Sequence, residues 1–252
     1  LNGKKVKNEK QWYGKRRPEI LNLFYEFQYG KVPPKPEDMS FNVFDKGTPA
    51  LDGKALRKQV TVYFTNDTSD YKMDILIYLP AKATGPVPLF LNLSFSPNTT
   101  IADDPGIKAG TQWGRDGKRV PAGRTGGFGR MNITQFLDEG LGFASIYYGD
   151  IEPDFAKGYK YGIRNYYSKP DTAYPAPDQW GAISAWSWGL SRAMDYFETD
   201  PQIDAKKVAV FGISRLGKTV LWTGVRDERF GMVIASCGGE GGAALSRRNY
   251  GE

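Results

Sequence analysis

The stretch that decides the fold runs from Val208 to Thr219 and reads VAVFGISRLGKT. An apolar run followed by a glycine-flanked turn at Ser214 is typical of a buried strand that leads through a sharp turn into a helix. A serine at such a turn is a candidate nucleophile. Residues 212–219 also satisfy the phosphate-binding pattern G-x-x-x-x-G-K-[ST], in which Thr219 would bind magnesium. The stretch therefore predicts either a serine hydrolase or an NTPase.

The position of this stretch favours the hydrolase. A phosphate-binding loop usually opens its domain, and an apolar strand ending in a metal-binding aspartate follows it. Here 252 − 219 leaves 33 residues after Thr219, and the apolar run 232–235 continues into Ser236 and Cys237 without an aspartate. Asp150 follows an apolar run, but it lies upstream, in the wrong order. The NTPase remains a remote alternative.

Hydrophobic periodicity predicts an α/β fold. Three alternating runs near the N-terminus predict antiparallel strands, and the more continuously apolar runs after residue 85 predict buried parallel strands separated by helices. The predicted strands are Phe41–Phe44, Gln59–Phe64, Met73–Leu79, Val87–Leu93, Leu141–Tyr148, Lys207–Phe211 and Val233–Ala235. The predicted helices are Pro18–Tyr29, Ile133–Glu139, Ala182–Glu198 and one from the Ser214 turn to about Val225. Two long loops, 94–130 and 149–180, complete a mostly parallel sheet with helices on both faces.

Composition excludes several kinds of site. The chain has one cysteine, Cys237, and no histidine, so an intrachain disulfide and a zinc site built on these ligands are both excluded. We expect no metal and no cofactor. No apolar run approaches the roughly 18 residues of a membrane span.

The net charge of +6 is concentrated at the N-terminus. Residues 1–17 contain seven Lys or Arg and one Glu, and 7 − 1 accounts for the whole excess. A run of this kind predicts a solvated basic arm. No nucleic-acid-binding motif accompanies it, so we expect no nucleic-acid partner.

The hydrolase interpretation assigns chemistry to the turn. Ser214 would attack a carbonyl carbon, and the backbone N–H of Arg215, at the start of the following helix, would bind the developing oxyanion. Gly212 and Gly217 give the turn room to pack. The pattern departs from G-x-S-x-G because Leu216 occupies the second glycine position.

Several motifs together resemble the glucuronoyl esterases, carbohydrate esterase family 15, and its bacterial branch in particular. The core motif is G-x-S-R-x-G-K at residues 212–218, followed by GGAA at residues 241–244 and by LSRR at residues 245–248. Further similarity lies in WGLSRAMDY at residues 188–196, YYGD at residues 147–150 and RPEIL at residues 17–21. The resemblance spans nearly the whole chain.

The resemblance implies an α/β-hydrolase fold, a three-layer αβα sandwich, that cleaves the ester between 4-O-methyl-glucuronic acid of xylan and lignin alcohols. It implies that Ser214 is the nucleophile, that the Arg215 guanidinium also stabilises the oxyanion, and that Lys218 contacts sugar hydroxyls. The competing interpretation of Arg215 and Lys218 is ordinary charge on a helix surface. The polymeric substrate implies a secreted or periplasmic protein, and we expect a monomer.

The chain departs from the family pattern in two places. Cys237 stands where some members have the glutamate that orients the catalytic histidine. Glu240 lies nearby, but no geometric argument assigns that role to it. The histidine should follow the nucleophile, yet none is present. We therefore expect residues 1–252 to be one incomplete catalytic domain, the N-terminal portion of a longer one, truncated on the C-terminal side of its sheet and inactive alone.

Two other functions remain open at this stage. One is an esterase for another group of xylan or pectin, such as an acetyl or methyl ester. The other is a non-catalytic carbohydrate-binding relative, in which aromatic loop residues stack on sugars. The candidates for stacking are Trp113, Tyr159, Tyr161 and Trp180, although packing within the protein is the more common role of such residues.

Overall fold

The computed structural model describes residues 3–114, 116–128, 130–168, 176, 178–245 and 247. Within these residues the main feature is a seven-stranded sheet with the spatial order β1-β2-β3-β7-β4-β8-β9. Its strands are β1 Ser40–Ala50, β2 Ala55–Tyr63, β3 Lys72–Pro80, β4 Val87–Ser94, β7 Gly142–Tyr147, β8 Ile203–Ile213 and β9 Met232–Ser236. Two short strands, β5 Thr111–Trp113 and β6 Arg119–Pro121, form a separate antiparallel hairpin.

The strand directions confirm the predicted mixed, mostly parallel sheet. The first three strands form an antiparallel meander, and β3 pairs antiparallel with β7. The ladders β7–β4, β4–β8 and β8–β9 are parallel. β2 is antiparallel to β3, and β3 is antiparallel to β7, so β2 runs in the same direction as these four strands. The carboxyl ends of β7, β4, β8 and β9 therefore share one edge of the sheet.

Helices cover both faces of the sheet, which gives three layers. The helices are α1 Glu9–Gln11, α2 Arg17–Phe27, α3 Ile133–Asp138, α4 Tyr148–Ile151, α5 Ile163–Tyr167, α6 Ala182–Phe197 and α7 Arg215–Arg226. Trp186 and Trp188 of α6 are buried in the larger apolar cluster with residues of the central strands. On the opposite face, Phe136 of α3 packs against the rings of Phe90 and Phe143. The apolar residues of the central strands β4 and β7 are thus buried on both sides, as an α/β sheet requires, whereas the edge strand β1 stays largely exposed.

The two segments predicted as irregular loops contain short elements. The first contains a 3₁₀ turn at Asn98–Thr100 and the β5–β6 hairpin. The second contains α4, a 3₁₀ turn at Gly158–Tyr161 and α5. None of these elements is longer than five residues, so none spans enough turns or pleats to produce a recognisable periodicity.

The basic arm predicted for residues 1–17 is largely exposed where the structure describes it. Its second half is helical, because α1 passes into a π-helical turn at Trp12–Arg16 and then directly into α2. Arg17 is also anchored, since its guanidinium donates to the carbonyl of Val225 at 2.7 Å and lies 2.7 Å from the carboxylate of Glu228. The charge run hides this helix because Lys and Arg are themselves good helix formers. No helix in the described part of the chain has the length and apolarity needed to cross a membrane.

Candidate active site

Ser214 is the single residue between the end of β8 and the start of α7, and its backbone is strained. Its φ is 56° and its ψ is −127°, a conformation that L-residues rarely adopt. Such strain persists only where the surrounding structure enforces it, and it is concentrated at functional sites. The sharp strand-to-helix turn predicted from the sequence is therefore present, with Ser214 at the carboxyl edge of the sheet.

Two glycines make this turn possible. A Cβ atom at Gly212 would overlap the carbonyl of Leu216, and one at Gly217 would lie 2.7 Å from the carbonyl oxygen of Ser236. Any side chain at these positions would push α7 away from β8 or β9. The glycine spacing that the sequence shows is thus a packing requirement of the turn.

Backbone hydrogen bonds hold Ser214 in place from both sides. Its N–H donates to the carbonyl of Ser236 at the end of β9, at 2.8 Å, and its carbonyl accepts from the N–H of Lys218 at 3.1 Å. The first N–H groups of a helix have no intrahelical acceptor, and the helix dipole makes this end electropositive. The start of α7 is therefore suited to stabilise an oxyanion formed beside the Ser214 hydroxyl.

Arg215 extends from this helix start across the neighbouring loops. Its Nη1 lies 2.6 Å from the Oδ2 atom of Asp154, and its guanidinium lies 5.9 Å from the ring centre of Phe95. The side chain keeps 48% of its surface exposed. Phe95 follows β4 and Asp154 follows α4, so three loops that leave the same edge of the sheet meet at one cation.

The loop that carries Asp154 is anchored by Glu152. This carboxylate is fully buried and accepts two hydrogen bonds of 2.8 Å from Nε of Arg164. Its backbone carbonyl accepts a hydrogen bond of 2.8 Å from the indole N–H of Trp186 in α6. A buried carboxylate with such a partner is costly to displace, so the position of Asp154 is tied to the core.

Lys218 lies one turn along α7 from Ser214 and is half-buried. A Cβ atom at Gly242 would lie 2.9 Å from its Cγ, so the glycine-rich turn after β9 packs directly on this side chain. The same turn is tied to α2, because the carbonyl of Gly241 accepts from Nε2 of Gln28 at 2.8 Å and from the hydroxyl of Tyr29. The structure thus brings Ser214, Arg215 and Lys218 together on the first turn of α7.

Cys237 and Glu240, which lie in the sequence near the expected position of the acid that orients the catalytic histidine, are in or next to the glycine-rich turn after β9. Cys237 follows β9 with a φ of 51° and is exposed. Glu240 is exposed in the glycine-rich turn, and no ion pair reaches it from the described residues. The motif residues Ser246 and Arg248 lie outside the described residues.

The geometry disfavours the NTPase alternative. Because α7 begins at Arg215, Gly217 and Lys218 lie inside the helix, and the N–H of Lys218 already donates to Ser214. A phosphate-binding loop needs such N–H groups to point at the phosphates. The Thr219 hydroxyl is buried and donates to the carbonyl of Arg215 at 3.0 Å, so it does not point to a position where it would ligate magnesium.

The four aromatic candidates have different environments. Trp180 is buried in the core, where it packs edge-on against Trp188. Tyr159 lies under the guanidinium of Arg164. The ring centres of Trp113 and Tyr161 lie 5.3 Å apart near the carboxyl edge of the sheet, and half of the Tyr161 surface is exposed. Of the four, Trp113 and Tyr161 are the ones placed to meet a ligand at that edge.

Sequence reasoning missed Asp154 and Phe95. Both residues come after the carboxyl ends of predicted strands, where α/β folds place functional side chains. This position could have indicated them as site candidates. Their contacts with Arg215 join residues 61 and 120 positions apart and have no local pattern.

Comparison with known proteins supports the family resemblance. The family model described as glucuronyl esterase of fungi matches residues 142–251. The curated carbohydrate esterase MZ0003, from an unknown prokaryotic organism, is 48% identical over 260 residues, which cover 100% of this chain and 60% of that protein. The chain is thus similar to the glucuronoyl esterases, carbohydrate esterase family 15, over the N-terminal part of their length.

Solved structures support the same conclusion and the α/β-hydrolase fold. A glucuronoyl esterase from Solibacter usitatus is 47% identical and superimposes with a TM-score of 0.94, over 99% of this chain and 64% of that one. A structure described as a promiscuous family 15 esterase from a marine bacterial metagenome is 47% identical, with a TM-score of 0.86, over 100% of this chain and 64% of that one. The chain thus spans about three fifths of the length of these relatives.

Proposed function

We propose that the protein is a serine-type carbohydrate esterase that cleaves the ester between 4-O-methyl-glucuronic acid of xylan and lignin alcohols. The strained turn at Ser214 carries the proposal, because it puts this serine at the carboxyl edge of the sheet, beside a helix N-terminus and a guanidinium that is paired with Asp154. The names of the relatives, glucuronoyl esterase and carbohydrate esterase, support the substrate class.

Each residue of the first helical turn has a role in this proposal. The Ser214 Oγ atom attacks the ester carbonyl, and the carbonyl oxygen becomes an oxyanion that the Arg215 N–H and guanidinium stabilise. One oxyanion-hole donor is typically worth about 10²–10³ in rate. Lys218 binds hydroxyl groups of the glucuronoyl ring. The 252 residues contain no histidine, so no imidazole base is assigned within them.

The test is hydrolysis of an aryl or alkyl ester of 4-O-methyl-glucuronic acid by the full-length protein. Ser214→Ala should reduce kcat by at least about 10³-fold, with little change in thermal stability. Ser236→Ala is the matched control, because its hydroxyl lies at the neighbouring strand end and no step uses it. Retained activity in Ser214→Ala would rule out the assigned nucleophile, and hydrolysis of no ester by the wild type would favour the non-catalytic carbohydrate-binding alternative.

A second candidate function is a broader esterase that also acts on acetyl or methyl esters of xylan or pectin. It is favoured by one observation, the 47% identity to a structure described as a promiscuous esterase. Comparison of kcat/KM for glucuronoyl esters and for acetylated xylan separates the two. A ratio near unity supports the broader activity, whereas a large preference for the glucuronoyl ester supports the narrow one.

The same proposal includes the location and the assembly of the protein. An enzyme for a polysaccharide ester acts outside the cytoplasm, so we propose secretion or export to the periplasm. We also propose that the enzyme is a monomer, which is compatible with the position of Ser214, Arg215 and Lys218 on one helical turn. Sedimentation of the full-length protein tests the monomer.

A further inference from the structure

A cavity of about 400 Å³ lies at the carboxyl edge of the sheet, beside β3 and under the β5–β6 hairpin. Its volume is within the range of small-molecule sites. It is lined in part by Asp74, Asn98, Lys108, Arg119, Tyr147 and Asp150. None of these residues belongs to the first turn of α7.

Two side chains of the cavity wall have acceptor capacity that the described residues leave unused. The Oδ1 atom of Asn98 is buried and accepts no hydrogen bond from the described residues, although its Nδ2 donates to the carbonyl of Asp74 at 3.0 Å. Asp150 forms no ion pair with any residue in the described ranges, although its buried carboxyl group accepts a hydrogen bond from the backbone N–H of Asp74. A buried acceptor without a donor destabilises the fold, and a ligand that donates a hydrogen bond to it removes that cost.

The other polar groups of the wall supply donors. The Lys108 ammonium is fixed 3.0 Å and 2.8 Å from the two carboxylate oxygens of Asp74. The Tyr147 hydroxyl accepts a hydrogen bond of 3.3 Å from the N–H of Trp113, so its own proton remains to be donated. Donors and acceptors therefore alternate around one cavity.

This chemistry selects the class of ligand. Two carboxyl groups and three cations line the cavity: Asp74, Asp150, Lys72, Lys108 and Arg119. Charges of both signs are therefore present, so a neutral polar ligand is favoured over an ion. A metal ion would have to displace Lys108 from Asp74, and no group of three potential metal-ligating His, Cys, Asp or Glu side chains occurs among the described residues. An apolar ligand would leave the acceptors unpaired. A sugar ring fits, since each hydroxyl both donates and accepts.

The cavity lies close to the candidate active site. β7, which precedes Asp150, and β8, which precedes Ser214, are separated only by β4, so their ends lie about 10 Å apart. Aromatic rings cover the surface between them: the Arg119 guanidinium lies 4.7 Å from the Trp113 ring, and Trp113 contacts Phe155, the neighbour of Asp154. A polysaccharide whose ester reaches Ser214 can thus extend across this surface.

We propose that the cavity beneath the β5–β6 hairpin is a subsite for an uncharged sugar unit of the polysaccharide that carries the ester. The identity of that polysaccharide rests on the proposed esterase function, whereas sugar binding itself does not. Asp150 and Asn98 accept hydrogen bonds from hydroxyl groups of the sugar, and Lys108 donates a hydrogen bond to a ring or hydroxyl oxygen.

The test is calorimetric binding of two uncharged probes, xylotriose and methyl α-galactoside, to the full-length protein. These probes separate a backbone sugar from a side-chain sugar. At pH 8.5, above the Asp150 pKa of about 7, Asp150→Asn should weaken the binding of the better probe about tenfold or more, because it replaces a charge-assisted acceptor with a neutral amide. Asp138→Asn, on the exposed surface of α3, is the matched control and should bind like the wild type.

A second variant protects the test against misfolding. Thr111→Trp fills the cavity from the exposed strand β5, and it should abolish probe binding while hydrolysis of a small aryl glucuronoyl ester continues. Unchanged binding in both variants, or no binding of either probe by the wild type, overturns the subsite. If the probes bind but no ester is hydrolysed, the subsite stands and the esterase proposal fails.

Discussion

The carboxylate of Asp154 lies 2.6 Å from the guanidinium of Arg215, across the helix start that Ser214 opens. Arg215 is bound on one side by this ion pair and lies on the other side near the ring of Phe95. A long side chain that is 48% exposed has many rotamers, and these two contacts select one of them. In the proposed mechanism, the cation is thereby positioned before the oxyanion forms.

Removing the Asp154 carboxylate should therefore impair catalysis more than stability. We expect Asp154→Asn to lower kcat for a glucuronoyl ester about tenfold, with little change in KM, because the guanidinium acts mainly on the transition state. The melting temperature should change little, since exposed ion pairs contribute only about 0–1 kcal/mol. Steady-state kinetics and calorimetry measure both.

Asp178→Asn is the matched control for this experiment. It breaks the exposed Lys31–Asp178 pair, which lies at 2.9 Å, and should leave both readouts unchanged. Asp154→Glu should restore part of kcat, because it keeps the charge. Wild-type kcat in Asp154→Asn would show that the pair has no role in positioning Arg215.

The strain at Ser214 predicts that stability and activity change in opposite directions. Ser214→Gly should raise the free energy of unfolding by about 1 kcal/mol, because glycine adopts a φ of 56° without the Cβ penalty. Ser214→Ala should not stabilise the protein, since alanine keeps the Cβ atom. Both variants should lose hydrolysis. Urea unfolding of the three proteins measures the effect, and equal stability of the glycine and alanine variants would contradict it.

Gly217 should tolerate no side chain. Its added Cβ would lie 2.7 Å from the backbone carbonyl of Ser236, and backbone atoms at a sheet end cannot rotate away. We expect Gly217→Ala to destabilise the fold by about 2 kcal/mol or more and to reduce hydrolysis through a displaced Ser214. Gly85→Ala, where nothing lies within 4 Å of the added Cβ, is the control and should be nearly neutral. Thermal unfolding of both variants tests the contrast.

The sequence predicted the elements with strong periodicity and missed those built from distant contacts. The helix predicted at Ala182–Glu198 is observed at Ala182–Phe197, because its apolar spacing covers four turns. The strand predicted at Phe41–Phe44 is observed over Ser40–Ala50. The prediction was too short because irregularities in the strand register interrupt the apolar alternation. For the site, the glycine-flanked motif located the turn at Ser214. The roles of Ser214, Arg215 and Lys218 remain predictions.

The cavity near Asp150 shows why the rest could not be predicted. Its wall combines the first residues of β3 with residues that follow β4 and β7, which are separated by tens of positions in the chain. Sheet order brings them together, since β3 and β4 both flank β7. Nothing in the local sequence around Asp74 or Asp150 indicates that the two carboxyl groups share one cavity.

The carboxyl group of Asp150 makes the free energy of unfolding depend on pH. Burial is the main cause that raises the Asp150 pKa to about 7, nearby Asp74 raises it further, and Arg119 and Lys108 oppose the shift. Between pH 4 and pH 7 the folded protein keeps this proton while the unfolded chain has lost it. Stability therefore falls as pH rises through this range, and the loss is complete above pH 7.

Asp150→Asn should remove this contribution, because asparagine resembles the neutral acid at every pH. We expect the variant to unfold with the same free energy as the wild type near pH 4 and to be more stable by about 1–3 kcal/mol at pH 8, a range reduced from the full shift because the cavity admits water. Urea unfolding at pH 4.5, 6 and 8 measures the difference, with Asp138→Asn expected to follow the wild-type curve. A constant difference between Asp150→Asn and the wild type across this range would show that Asp150 is ionised throughout, and that its buried charge is compensated in the folded protein.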